Sequence, residues 1–166
     1  MMKDNKQKVI YMTHDGKKFE NLKKGVEYDL AAARHISNEL WFIKTKEPVE
    51  GFNNIDAKDY ETCIESFNHT QDIHKMIELF VESPIVYCAT DRAAEVFTGF
   101  MHNPNLKLGI KGLRKGLNYW LDGNDCYIHE EDFADYFTDT AAQGAFEKLK
   151  EIILNFINEN IAIGSN

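Results

Sequence analysis

From Ala141 to Ile161 the chain sets Phe146, Leu149, Ile152, Ile153, Phe156 and Ile157 three or four residues apart. At about 100° per residue these side chains fall on one stripe, so the spacing predicts a long C-terminal helix whose apolar side has to be covered. The covering surface is either the rest of the chain or a second copy of it, which leaves a homodimer open. A chain of 166 residues with 43% hydrophobic content is long enough to build one domain, 1–166, around a core of its own. The stripe is therefore assigned to that core.

Upstream, the pattern alternates between strand and helix signals. Val9 to Thr13 reads as a strand, His14-Asp15-Gly16 as a turn and Lys17 to Glu20 as the returning strand, because Asp-Gly supplies the positive φ of a tight hairpin. Asn21 is placed to cap a helix in which Leu22, Val26, Leu30 and Ala33 form the buried face. Leu40 to Thr45, with Trp41, Phe42 and Ile43, reads as a buried strand, and Thr62 to Phe67 as a further one. Helical spacing returns after Thr70, with Ile73, Met76, Ile77, Phe80 and Val81 on one side. Ser83-Pro84 and Asn103-Pro104 each place a capping side chain before a first-turn proline, predicting helices over 84–101 and 104–120. Asp122-Gly123-Asn124-Asp125 carries turn residues between aromatics, which also allows a hairpin over 119–129, and 130–138 reads as a short acidic amphipathic element. The fold class that follows is α+β: an N-terminal β-hairpin and short strands packed with a predominantly helical remainder.

Charge is sorted along the second half. Wound as a helix, 104–120 puts Leu106, Ile110, Leu113, Leu117 and Trp120 on one stripe, Lys107, Lys111, Arg114 and Lys115 on a second, and Gly109, Gly112 and Gly116 on a third. Glycines inside a helix each cost roughly 1 kcal/mol against alanine, so three on one stripe imply a close approach to the backbone. Asp122 to Asp139 then holds seven acids and no Lys or Arg. Lys107, Lys111, Arg114, Lys115, Asp122, Asp125, Glu130, Glu131 and Asp135 are accordingly the candidate partner-binding residues. The competing arrangement is that the two blocks neutralise each other on the protein's own surface.

The opening Tyr11-Met12-Thr13-His14-Asp15-Gly16-Lys17-Lys18-Phe19, followed by Glu27-Tyr28-Asp29, resembles the start of small accessory proteins of tailed bacteriophages. The resemblance covers about residues 9–35, and Gly25 departs from it where such helices carry alanine or a charge. It implies a setting in which proteins of this size modulate host machinery or block host defence by binding a bacterial protein. It transfers no functional residues.

Other chemistries fit less well. The net charge of −8 opposes general attachment to phosphate, so nucleic-acid or nucleotide binding would have to be local, through the basic, glycine-rich helix 104–120 and its Gly109-Ile110-Lys111-Gly112 match to a backbone-clamping loop. Asp122 to Phe133 superficially resembles a calcium loop, but it retains only Asp125 and Asp132 as plausible anionic ligands and has Cys126 where the turn glycine belongs. Cys63, His69 and His74 do not share a helical face, and Cys126 and His129 point to opposite sides of a strand, so a metal-dependent enzyme is the distant alternative and no metal or cofactor is expected. His14 and Asp15 sit at a hairpin tip, a poor place for a buried catalytic pair. Adjacent Glu130 and Glu131 diverge on a helix. Three cysteines without close spacing fit reduced thiols, and the polar start and lack of a long apolar run fit a soluble, cytoplasmic protein without a membrane span. The expectation is a non-catalytic, phage-type accessory protein that binds and modulates or inhibits a bacterial host protein, defence proteins included, in the host cytoplasm.

Overall fold

Leu40-Trp41-Phe42-Ile43 are all buried yet belong to two different cores, because successive strand residues point to opposite faces. A strand with both faces apolar needs a layer on each side, and that requirement sets the architecture. The computed structural model describes residues 9–101, 112–121, 127–136 and 139–164. Its element order is β1 (Tyr11–Met12), β2 (Lys18–Phe19), α1 (Leu22–Ile36), β3 (Leu40–Thr45), α2 (Tyr60–Cys63), β4 (Ile64–Asn68), α3 (Ile73–Glu82), β5 (Ile85–Cys88), α4 (Asp91–Met101), β6 (Gly116–Trp120), β7 (Tyr127–His129), α5 (Phe133–Tyr136) and α6 (Thr140–Gly164). Short 3-10 turns fill several of the connections. β1 and β2 form a separate two-stranded hairpin, and the other strands form one antiparallel sheet in the order β4-β3-β5-β6-β7. The fold is α+β.

One face of the sheet, with Leu40, Phe42, Val86 and Cys88, packs on Ala33 and Ile36 of α1, Met76 and Phe80 of α3, and Phe97 and Phe100 of α4. The opposite face, with Trp41, Ile43, Ile85, Leu117, Tyr119 and Ile128, is covered by Phe146, Leu149, Ile153 and Ile157 of α6 and by Phe52 and Tyr60. The long C-terminal helix is thus an intramolecular layer. Side-chain caps start the helices: Asn21 accepts from Lys24 N at 3.1 Å, Asp72 from His74 N at 2.8 Å, Thr90 from Ala93 N at 3.0 Å and Asp139 from Ala141 N at 3.1 Å.

Several expectations change. Residues 85–88 are a strand, not the first turn of a helix over 84–101, because Ile-Val-Tyr is a β-favouring run that fits between β3 and β6, and Thr90 then caps a shorter helix. The helix over 104–120 fails in its described part. Residues 102–111, with Lys107 and Lys111, lie outside the described residues, while 112–115 are irregular and 116–120 form β6. Leu113 and Leu117, expected on one stripe, lie in opposite cores, because Leu113 sits in the irregular segment before β6 and Gly116, between them, takes positive φ. The hairpin reading of 119–129 holds for its strands, with Tyr119 opposite Ile128; its turn, including Asp122 and Asp125, lies outside the described residues. In α1 the buried positions are Gly25, Asp29, Ala33 and Ile36, and Leu22 is exposed. The reason is the hairpin: a Cβ on Gly25 would sit 2.6 Å from the Tyr11 ring, so only glycine lets the hairpin lie against the helix there.

Candidate functional site

Asn118 determines the shape of the chain where the basic and acidic segments meet. Its side chain is buried, accepts from Arg114 N at 3.1 Å, and donates to Arg114 O at 2.8 Å and Gly116 O at 3.2 Å. These bonds close residues 114–118 into a loop that leads into β6. Gly116 has φ +105°, a conformation that side chains rarely adopt, and a Cβ there would collide with Glu130 Oε1. Glycine thereby lets Glu130 fold over the start of β6 and accept from Leu117 N at 3.3 Å. The close approach inferred from the glycines is real at Gly116, and at Gly112 a Cβ would meet Thr98 at 2.8 Å, but it comes from the protein's own side chains.

Across β6, His129 is paired with Asn118 and is 5% exposed. Its Nδ1 accepts from Glu131 N at 3.2 Å, so its Nε2, 2.5 Å from Lys115 O, is the donor. Histidine at this position therefore fastens Lys115 to the middle of the acidic segment.

Two ion pairs hold the acidic segment, one to the basic segment and one to α6. Arg114 Nη2 is paired with Asp132 Oδ2, both side chains being about half exposed, and Lys150 Nζ of α6 lies 2.5 Å from Glu130 Oε2. Contact with the Glu130 carboxylate raises the Lys150 ammonium above its usual pKa, against an opposing effect of burial. Exposed pairs such as Arg114–Asp132 stabilise by about 0–1 kcal/mol, so their effect here is positional. Lys115, Glu131 and Asp135 stay exposed around them. Of the residues marked by the sequence, the structure thus brings together Arg114, Lys115, Glu130 and Glu131, with Asp135 on α5 close by in the chain. Arg114 pairs with Asp132 as in the competing arrangement, Glu130 pairs instead with Lys150 of α6, and Lys115, Glu131 and Asp135 have their charges turned to solvent.

A second polar cluster lies between the N-terminal hairpin and α1, and sequence reasoning missed it. Asp29 of α1 is 1% exposed and accepts from Tyr11 Oη at 2.6 Å and His14 N at 3.0 Å, with His14 Nδ1 at 2.7 Å. His14 is held between Tyr28, stacked at 5.7 Å, and the edge of Phe100 at 5.2 Å. His14 is therefore no free hairpin tip: its partner is Asp29, fifteen residues on, and not its neighbour Asp15. Asp15 instead accepts from Thr13 and Tyr28, each at 2.5 Å. Burial opposes its ionisation, but these bonds, the nearby His14 and the Lys17 backbone outweigh it and lower its pKa from 3.8 to about 2. The signal was present as Tyr-x-Thr-His-Asp-Gly followed by Tyr28-Asp29, but pairing across the hairpin and helix is not periodic.

Among the described residues, no group of three His, Cys, Asp or Glu side chains is arranged to hold a metal ion, and no helix is long and apolar enough to cross a membrane. No protein-family model, curated protein or solved structure matches the chain.

Proposed function

We propose that the chain is a non-catalytic accessory protein of phage type that binds a bacterial protein and modulates or inhibits it, acting in the host cytoplasm. The observation that supports this reading best is the charged edge at β6, β7 and α5. Asn118, His129 and the two ion pairs bond the chain on either side of Lys115 and Glu131, which present one exposed charge of each sign. Backbone held in this way leaves only the side chains to be ordered on contact, and an edge of both signs selects a partner of complementary pattern by penalising wrong juxtapositions. The resemblance of residues 9–35 to phage accessory proteins supports the setting.

The test is quantitative affinity capture from a bacterial lysate, comparing the wild-type chain with the triple variant Lys115→Glu, Glu131→Lys, Asp135→Lys. All three positions are exposed, so the fold should persist. The reading expects a protein captured by the wild type and depleted with the variant. Equal capture of the same proteins by both, with the variant folded, would overturn it.

A further inference from the structure

The C-terminal end of α3 borders a cavity of about 340 Å³ lined by Phe80, Val81, Glu82, Ser83, Pro84, Trp120 and Tyr127. Its size is within the range of small-ligand sites. Three of its walls are aromatic: Tyr127 lies 5.2 Å from Phe80 and 5.5 Å from Trp120 between ring centroids, with interplanar angles of 39° and 53°. Tyr127 is fixed by its hydroxyl, which donates to Ser83 O at 3.0 Å, and Trp120 by its backbone N, which donates to Pro84 O at 2.6 Å. The walls are thus preformed and do not need a ligand to assemble them.

Two observations indicate what the cavity would take. The Ser83 side-chain oxygen is buried without a hydrogen-bond partner, in a residue only 3% exposed, and an orphaned buried hydroxyl is a cost that a bound donor would remove. Among the described wall residues the charge is negative: Glu82 is one of them, the cavity lies where the carbonyl end of α3 carries its partial negative charge, and the last turn of α3 has no basic residue. Aromatic faces add attraction for a cation. Val81, 69% exposed, and Pro84 supply aliphatic surface alongside.

We propose that this cavity is a binding site for a small alkylammonium ligand. Its N–H groups would donate to Ser83 Oγ and Glu82, and its alkyl part would lie on Val81, Pro84 and the aromatic walls. The site is independent of the charged edge, and its failure would leave the proposed function untouched.

The experiment is a titration of the ¹⁵N-labelled full chain with n-butylammonium, with n-butanol as the neutral counterpart, following the two indole N–H signals by NMR. Loss of one signal in Trp41→Phe assigns them, and Trp41 faces the opposite core. The expected result is a saturable shift of the Trp120 indole with n-butylammonium and affinity weaker by about tenfold for n-butanol, which corresponds to about 1.4 kcal/mol. Glu82→Gln and Ser83→Ala should each weaken n-butylammonium binding severalfold while leaving the rest of the spectrum in place. No saturable shift, equal binding of the alcohol, or unchanged affinity in both variants would overturn the proposal.

Discussion

Replacing Asn118 by alanine separates the two structures that residues 112–120 could adopt. Were this segment helical, as its spacing suggests, alanine would be the better helix former and would raise stability by about 0.5–0.7 kcal/mol. In the β-structure the same change removes the side chain that satisfies Arg114 N and Arg114 O, at 3.1 and 2.8 Å. The bonds to Gly116 O and Val86 O, at 3.2 and 3.3 Å, are longer and share the same amide group, so they add less. An unsatisfied buried polar group costs about 1–3 kcal/mol, and the exposure of Arg114 lets water recover part of that, so one such cost is the working figure. For a chain of this size each kcal/mol moves Tm by roughly 2–4 °C, giving a fall of about 2–12 °C in a calorimetric or circular-dichroism melt. Asn118→Asp, which keeps the acceptor but loses the donors and buries a carboxylate, should fall further. An unchanged or higher Tm for Asn118→Ala would refute the loop and strand at 114–120.

Other changes follow from the same contacts. Leu149→Ala, at a fully buried position, should cost about 2–5 kcal/mol in urea unfolding, and Phe156→Ala should fall below the usual 3–5 kcal/mol because Phe156 is only partly buried, stacked on Phe67 at 3.7 Å. Asp15 has a folded-state pKa of about 2 against 3.8 unfolded, so its contribution is present above about pH 4 and is lost as pH falls toward 2. Asp15→Asn should therefore be less stable than wild type at pH 7, with a gap that closes over pH 4 to 2; a gap independent of pH would contradict this. Burial raises the Cys63 thiol above its usual pKa and pushes Cys88 up to about 12, so at pH 8 a thiol reagent should label both far more slowly in the native than in the unfolded protein, as mapped by mass spectrometry.

The parts of the fold that the sequence discloses are those where one periodicity has no competitor. The stripe of α6, the Asp-Gly hairpin and the compact run Leu40 to Thr45 each have a single reading, and each appears where expected. Periodicity misleads where a strand follows a glycine-rich loop: Leu113, Leu117 and Trp120 are spaced as on a helix, yet Gly116 takes positive φ and turns Leu113 and Leu117 into different cores. Ser83-Pro84 has the form of a helix start, but tertiary pairing on both sides of Ile85–Cys88 outweighs that local signal. The α1 face was displaced by contact with the hairpin at Gly25, which no single-helix pattern contains. At the charged edge, the charge runs contain Arg114, Lys115, Glu130 and Glu131, which the structure brings together, but they do not show what holds these residues there. Asn118 and His129, neutral and aligned with no charge pattern, hold the edge in place, and Lys150 arrives from α6.

The salt dependence of association with the captured protein tests the charged edge most directly. Wild type and the double variant Lys115→Glu, Glu131→Lys are compared, with association rates measured by surface plasmon resonance from low to high ionic strength. If this edge meets the partner, the wild-type rate falls as salt rises, and the variant associates roughly tenfold more slowly at low salt with a flatter dependence. Identical rates and salt slopes for the two folded proteins would contradict the account.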